Sequence, residues 1–140
     1  ADLEIELGKA RVVRSGRDLS IVTFGAMVLT ALDAAEELER EGLDVEIIDL
    51  RTLAPLDKAA ILASVKKTSK AIVLHEASRT GGIGGEIAAT IAEEAFEWLD
   101  APVVRVASLD TPVPYSPPLE DYYLPQTKDV VDAARKLAAY

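Results

Sequence analysis

The chain has no cysteine, one histidine, one methionine and one tryptophan among 140 residues. Without cysteine there is no disulfide, no thiolate metal site and no cysteine nucleophile, and a reducing compartment suits the chain. Aromatic residues are only 5% of the total, so the core must come from Val, Ile, Leu and Ala. Positive charge is the scarcer sign: 15 Lys and Arg face 24 Asp and Glu, a formal net charge of −9. That balance argues against nucleic acid, whose phosphates require basic patches, and would attract a basic partner. No run approaches the length of a membrane span and no signal peptide is expected at the start, so the expectation is a soluble, cytoplasmic chain.

What is present can fill a core: 49% of the residues are hydrophobic, and the length suits one domain spanning residues 1–140. Asp2 to Leu7 carries no clear assignment. Lys9 to Arg14 sets Val12 and Val13 among charges, as an edge strand does, and Ser15-Gly16-Arg17-Asp18 reads as the turn after it. Leu19 to Phe24 is an apolar, β-branched run of a central strand, ended by Gly25. Ala26 to Glu41 has Val28, Ala31, Leu32, Ala35 and Leu38 at helical spacing, with Gly42 as the stop. A second unit follows: strand Val45 to Leu50, then a helix capped by Asp57 with Ile61, Leu62 and Val65 on one face. Lys66, Lys67 and Lys70 crowd its end, where positive charge complements the helix dipole and a solvated terminus is expected.

Ala71 to Leu74 is the next strand. It runs into His75-Glu76-Ala77-Ser78-Arg79-Thr80-Gly81-Gly82-Ile83-Gly84-Gly85-Glu86, which holds half of the glycines. A helix from about Gly84 to Leu99 is expected to turn Ile87, Ala88, Ile91, Ala92 and Ala95 inward. Val103 to Ala107 is a last short strand. Thr111 to Pro125 carries five of the seven prolines and three of the four tyrosines, so an extended surface loop packed by Tyr115, Tyr122 and Tyr123 is expected. Thr127 should cap a final helix with Val130, Val131, Ala134 and Leu137 inward. Alternating strands and amphipathic helices imply a largely parallel sheet with helices on both faces, and ligands in such sheets settle beyond the carboxyl ends of the strands, here near Gly25 and His75.

The glycine-rich turn allows close approach of a phosphate or of another protein. It lacks the dinucleotide fingerprint and the Lys-Ser/Thr of a P-loop, so packing or an interface is the first reading and a phosphate- or nucleotide-binding module using Gly81 to Gly85 the alternative. His75 with Glu76 and Arg79 could form an acid–base group. Successive residues of a strand point to opposite faces, however, and no nucleophile is apparent for a hydrolase or isomerase, so a satisfied structural or interface histidine is the favoured reading. Asp49, Asp57 and Asp110 read as strand-end and cap groups, since no histidine or close acid pair accompanies them.

The combination of Gly25-Ala26-Met27-Val28, Ile48-Asp49-Leu50-Arg51-Thr52-Leu53-Ala54-Pro55-Leu56-Asp57, His75-Glu76-Ala77, Ala101-Pro102-Val103-Val104-Arg105-Val106 and Asp110-Thr111-Pro112-Val113-Pro114-Tyr115 resembles the C-terminal domain of the beta subunit of a 2-oxo acid dehydrogenase, in the transketolase superfamily. The resemblance runs from Leu7 to Tyr140. It implies an α/β fold of three layers, α/β/α, around a five-stranded mixed sheet in the order 1-3-2-4-5 with strand 1 antiparallel. The residues alone suggest instead that Lys9 to Arg14 and Leu19 to Phe24 form a hairpin.

The resemblance also implies that the parent enzyme decarboxylates a 2-oxo acid on thiamine diphosphate with magnesium and transfers the acyl group to lipoyl. The cofactor then lies between other domains. This chain has no Gly-Asp-Gly, and its length leaves no room for the domain with the activating glutamate, so no catalytic residue, cofactor or metal site is expected in it. Implied partners are the rest of the beta subunit, the alpha subunit of a heterotetramer and the basic subunit-binding domain of a dihydrolipoyl acyltransferase. Asp100 and the carboxylate of Tyr140 are the positions carried over for that last contact, and a self-dimer is a further possibility. His75, Glu76, Arg79, Gly81 and Gly82 are expected to serve an interface. His75-Glu76-Ala77 and Thr80-Gly81-Gly82 resemble the branched-chain type more than the pyruvate type.

Overall fold

A computed structural model describes residues 8–78, 82–108 and 124–140. Five strands form one sheet: β1 (Arg11–Arg14), β2 (Leu19–Thr23), β3 (Val45–Asp49), β4 (Ala71–Ser78) and β5 (Val104–Ser108), in the order β1-β3-β2-β4-β5. β2 runs parallel to both β3 and β4, β5 runs parallel to β4, and β1 is antiparallel to β3 with Arg11 opposite Asp49. The order implied by the resemblance is therefore present, and the hairpin expected from the residues alone is not.

Residues 15–18 explain the difference. A Cβ on Gly16 would lie 2.3 Å from the carbonyl carbon of Val45, so the connection is pressed against β3 and crosses its end instead of folding back. Hydrogen bonds hold it there. The Asp18 N–H donates to the Asp44 carbonyl and the Asp44 N–H donates to the Asp18 carboxylate, both at 2.8 Å. Val12, 52% exposed, then lies on an edge strand whose flanking arginines discourage further pairing.

Helices cover both faces. α1 (Met27–Glu39) and α4 (Thr127–Ala138) pack Ala31, Ala34, Leu38, Val130, Ala134 and Leu137 on Leu19, Ile21, Ile47, Ile72 and Leu74. On the other face α2 (Lys58–Thr68) and α3 (Ile83–Glu94) bring Ile61, Val65, Ile87 and Ile91 onto Val22, Ile48 and Val73. The central strand β2 is buried along its whole length, as a strand covered on both sides must be. Each fully buried Leu or Ile contributes roughly 1.5–3 kcal/mol relative to leaving it in water.

The helix ends refine the expectations. Asp57 does cap α2, accepting from the Ala60 N–H at 3.1 Å. The final helix is capped by Gln126, not Thr127, through a capping box with Asp129; Gln126 has extended backbone, whereas Thr127 is already helical. α3 is shorter than expected. It stops at Glu94, Ala95 leaves helical geometry at φ −124°, and Phe96–Trp98 continues as a 3₁₀ turn. Ala95 is buried as expected, but Ala92 is exposed, because the inward stripe is the narrower one of Ile87 and Ile91. The proline-rich loop, with Tyr115, Tyr122 and Tyr123, lies outside the described residues except for Leu124 and Pro125, and so does Asp110.

Candidate interaction site

The residues singled out in the sequence fall at opposite ends of β4. His75 lies toward its carboxyl end, with 0% exposure. Alternation places it on the same sheet face as Ala71 and Val73, under the first turn of α3. Gly84 makes room for it: a Cβ at Gly84 would sit 2.0 Å from His75 Nε2. Phe24 stacks on the ring, with centroids 6.4 Å apart. Neither ring nitrogen has a hydrogen-bond partner among the described residues. Burial, with the nearby positive charge of Arg105 adding to it, holds the imidazole below its ordinary pKa.

His75 therefore presents no surface, which corrects its place among the interface residues: its ring fills the space that Gly84 leaves. Glu76, the next residue, is exposed, in line with strand alternation. Gly82 is the N-cap of α3, while Arg79 and Gly81 lie outside the described residues. Gly25 is exposed at φ +63° with nothing near its missing Cβ, consistent with a turn.

At the amino end of β4 the arrangement differs. Ser69 closes α2 in the left-handed conformation at φ 66°, and Lys70 leads into β4. The Asp100 N–H donates to the Ser69 carbonyl at 2.9 Å, and Lys70 Nζ donates to the main-chain oxygen of Tyr140 at 3.3 Å. Asp100 and Tyr140, distant in sequence, thus attach to consecutive residues of one corner, and both are exposed. Lys66 Nζ lies 5.8 Å from the centre of the Trp98 ring on the neighbouring 3₁₀ turn, a cation–π distance.

The lysines are accordingly not a simple solvated terminus. Lys67 Nζ donates to Glu46 Oε1 at 2.7 Å, and Glu46 is only 3% exposed. Ser64 Oγ donates to Glu46 Oε2 at 2.7 Å and the Gly16 N–H to Oε1 at 3.1 Å, while Ser20 Oγ lies 2.6 Å from both Ser64 Oγ and Thr68 Oγ1. Burial alone would raise the pKa of Glu46, but the hydrogen bonds from Lys67, Ser64 and Gly16 outweigh it and hold the carboxyl below its usual range. The sequence reading missed this network. Its signal was a glutamate inside the apolar run Val45 to Leu50 and a serine inside Leu19 to Phe24.

Beside this corner, a groove of about 940 Å³ runs between α3 and β5, lined by Ala88, Ala89, Ala92 and Phe96, with Glu97 and Asp100 toward one end and Arg105 beside Gly85 at the other. Among the described residues no group of three His, Asp or Glu side chains is placed to hold a metal ion, and the sequence has no Gly-Asp-Gly. Among the described residues, no helix is long and apolar enough to cross a membrane.

Together these features define a three-layer α/β/α domain with a mixed 1-3-2-4-5 sheet. The chain belongs to the transketolase C-terminal domain family, whose model matches residues 8–130. It is 51% identical over 136 residues to the pyruvate dehydrogenase E1 component subunit beta of Bacillus subtilis, covering 97% of this chain and 42% of that one. It is 47% identical over 132 residues to the mitochondrial pyruvate dehydrogenase E1 component subunit beta-1 of Arabidopsis thaliana, covering 94% and 36%. A solved structure described as a split gene transketolase, inactive beta4 tetramer, superposes with a TM-score of 0.85 at 32% identity, over 99% of this chain and 44% of that chain. The resemblance to 2-oxo acid dehydrogenase beta subunits holds, and the chain spans less than half the length of these relatives.

Proposed function

We propose that this chain is the assembly and subunit-contact domain of a thiamine-diphosphate-dependent 2-oxo acid dehydrogenase beta subunit. The parent reaction is oxidative decarboxylation of a 2-oxo acid with acyl transfer to lipoyl. The observation that carries the reading is the corner at Ser69 and Lys70, where the Asp100 N–H bonds to the Ser69 carbonyl and the Tyr140 main-chain oxygen accepts from Lys70 Nζ. The exposed Asp100 carboxylate and the exposed chain-end oxygens of Tyr140 suit a basic partner, and the chain's net charge of −9 would speed its approach. The partner is the basic subunit-binding domain of a dihydrolipoyl acyltransferase. The alpha subunit and the rest of the beta subunit take other faces, with Glu76 and Gly82 at the opposite end of β4.

Titrating the chain with that subunit-binding domain should release heat at low salt and progressively less as salt is added, and Asp100→Asn should weaken the complex. No heat at low salt would overturn the partner. Titration with thiamine diphosphate and magnesium should give none, because the residues that hold them belong elsewhere in the parent enzyme; saturable binding would sink that part of the reading. The pyruvate enzymes among the relatives favour a pyruvate-type parent over the branched-chain type suggested by His75-Glu76-Ala77. Comparing turnover of pyruvate with that of branched 2-oxo acids by the full enzyme would decide between them.

A further inference from the structure

The polar groups beneath the Ser69–Lys70 corner form one continuous series. It starts at Glu46 on β3, passes through Ser64 of α2, Ser20 of β2 and Thr68 of α2, and ends at the Lys70 carbonyl. That carbonyl lies 3.1 Å from Thr68 Oγ1 and accepts the Ser20 N–H at 2.8 Å. All four side chains are buried, so their hydrogen-bond partners are one another.

A hydroxyl has one proton to donate. A carboxylate has none, so Ser64 must donate to Glu46 Oε2. The 2.6 Å contact between Ser20 and Ser64 then uses the Ser20 proton, and the 2.6 Å contact between Thr68 and Ser20 uses the Thr68 proton. None is left for the Lys70 carbonyl. A charged Glu46 thus turns three hydroxyls in series toward itself and leaves that carbonyl to the Ser20 N–H alone. Lys67 and the Gly16 N–H, both donating to Oε1, hold Glu46 in the charged form.

We propose that Glu46 is a positioning residue for the partner corner, setting through Ser64, Ser20 and Thr68 whether the Lys70 carbonyl receives a second hydrogen bond. Lys70 is where this takes effect: its amine holds the Tyr140 oxygen, and its neighbour Ser69 holds the Asp100 N–H. The consequence for binding rests on the assembly reading, whereas the direction of the hydroxyls is measured without any partner.

Glu46→Gln reverses the series. Its amide oxygen takes the place of Oε1 and keeps the donors from Lys67 and Gly16, while its NH2 takes the place of Oε2 and donates to Ser64. Ser64 then donates to Ser20 and Ser20 to Thr68. Thr68 is left to donate to the Lys70 carbonyl, the nearer of its remaining acceptors, since the Ser64 carbonyl lies at 3.2 Å. In carbon-13 spectra the Lys70 carbonyl resonance should move downfield in Glu46→Gln, as expected for a carbonyl that gains a hydrogen bond. The same substitution in a Thr68→Val chain, which keeps the side-chain shape but lacks the last hydroxyl, should leave that resonance in place, and a Ser20→Ala chain repeats the test from the middle of the series. A Lys70 resonance that does not move, or that moves equally without the Thr68 hydroxyl, overturns the proposal.

Against the subunit-binding domain, Glu46→Gln should raise the dissociation constant about threefold, the size of one modest hydrogen bond, and by less in the Thr68→Val chain. An equal rise in both would assign the effect to lost charge rather than to the hydroxyls, and would also overturn the proposal. Failure of the unsubstituted chain to bind that domain would overturn the partner reading alone, with the carbon-13 shifts still deciding this one.

Discussion

Glu46 and His75 are both buried polar side chains on the face of the sheet covered by α2 and α3, and they are held in opposite ways. Glu46 is held by hydrogen bonds from Lys67, Ser64 and the Gly16 N–H. His75 is held by shape, in the gap left by Gly84 and under Phe24, with no partner on either nitrogen among the described residues. Each site needs a glycine. Gly16 lets the chain press on the backbone of β3, whereas Gly84 yields space to a ring. A buried polar residue can thus be fixed by chemistry at one end of a sheet and by packing at the other, and substitutions should tell the two apart.

The largest effect is expected at Gly16→Ala. The new Cβ would meet the backbone of Val45 and Glu46 at 2.3 and 2.6 Å, which cannot move without displacing β3, and a loss of about 4 kcal/mol or more should appear in urea denaturation. Gly84→Ala should cost about 3 kcal/mol by overpacking. His75→Ala in the same chain should recover part of that loss, a coupling that a double-mutant cycle would measure. If the two substitutions were additive, the ring would not be what Gly84 accommodates.

Glu46→Leu should destabilise by about 2 kcal/mol, because Ser64 and the Gly16 N–H lose their acceptor in a buried setting. His75→Leu should stay within about 1 kcal/mol of the parent, since no hydrogen bond is lost and the volume is nearly kept. Equal costs at the two positions would erase the distinction between them.

The smallest effect is in the pH dependence. Unfolded histidine titrates near 6.5, and the folded pKa of His75 lies lower. As pH falls from about 6.5 toward that folded value, the unfolded chain takes up a proton that the folded chain refuses, so stability falls. Glu46 acts in a lower window. Its folded pKa lies below the unfolded value of about 4.3, so its contribution is full above that value and is lost as pH falls through the folded one. His75→Leu should flatten the slope just below pH 6.5 and leave the acid limb in place. An unchanged slope in urea midpoints across that range would show that burial of His75 is not its origin.

Much of the fold is legible in the residues. Apolar runs mark β2, β3 and β4, Asp57 announces α2, and helical spacing marks α1 and α4. The place of β1 is legible only through the resemblance, because local sequence favours a hairpin and the contact that prevents it is between Gly16 and the distant Val45. Of the candidate site, Asp100 and Tyr140 are meaningful in the sequence only by resemblance, and their attachment to the neighbouring Ser69 and Lys70 is visible only in the fold. The sequence leaves His75 open between a structural and an interface role. A histidine before a glycine-rich turn looks the same whether the glycines await a ligand or make room for the ring.

The lone tryptophan has a practical consequence. Trp98 is half-exposed at 51%, beside the corner of Asp100 and within reach of the Lys66 amine. Its fluorescence is a native, label-free reporter placed where partners are proposed to arrive, and a partner covering it should shift the emission to shorter wavelength. The same exposure makes it a poor optical probe of global unfolding, for which backbone circular dichroism is the better signal.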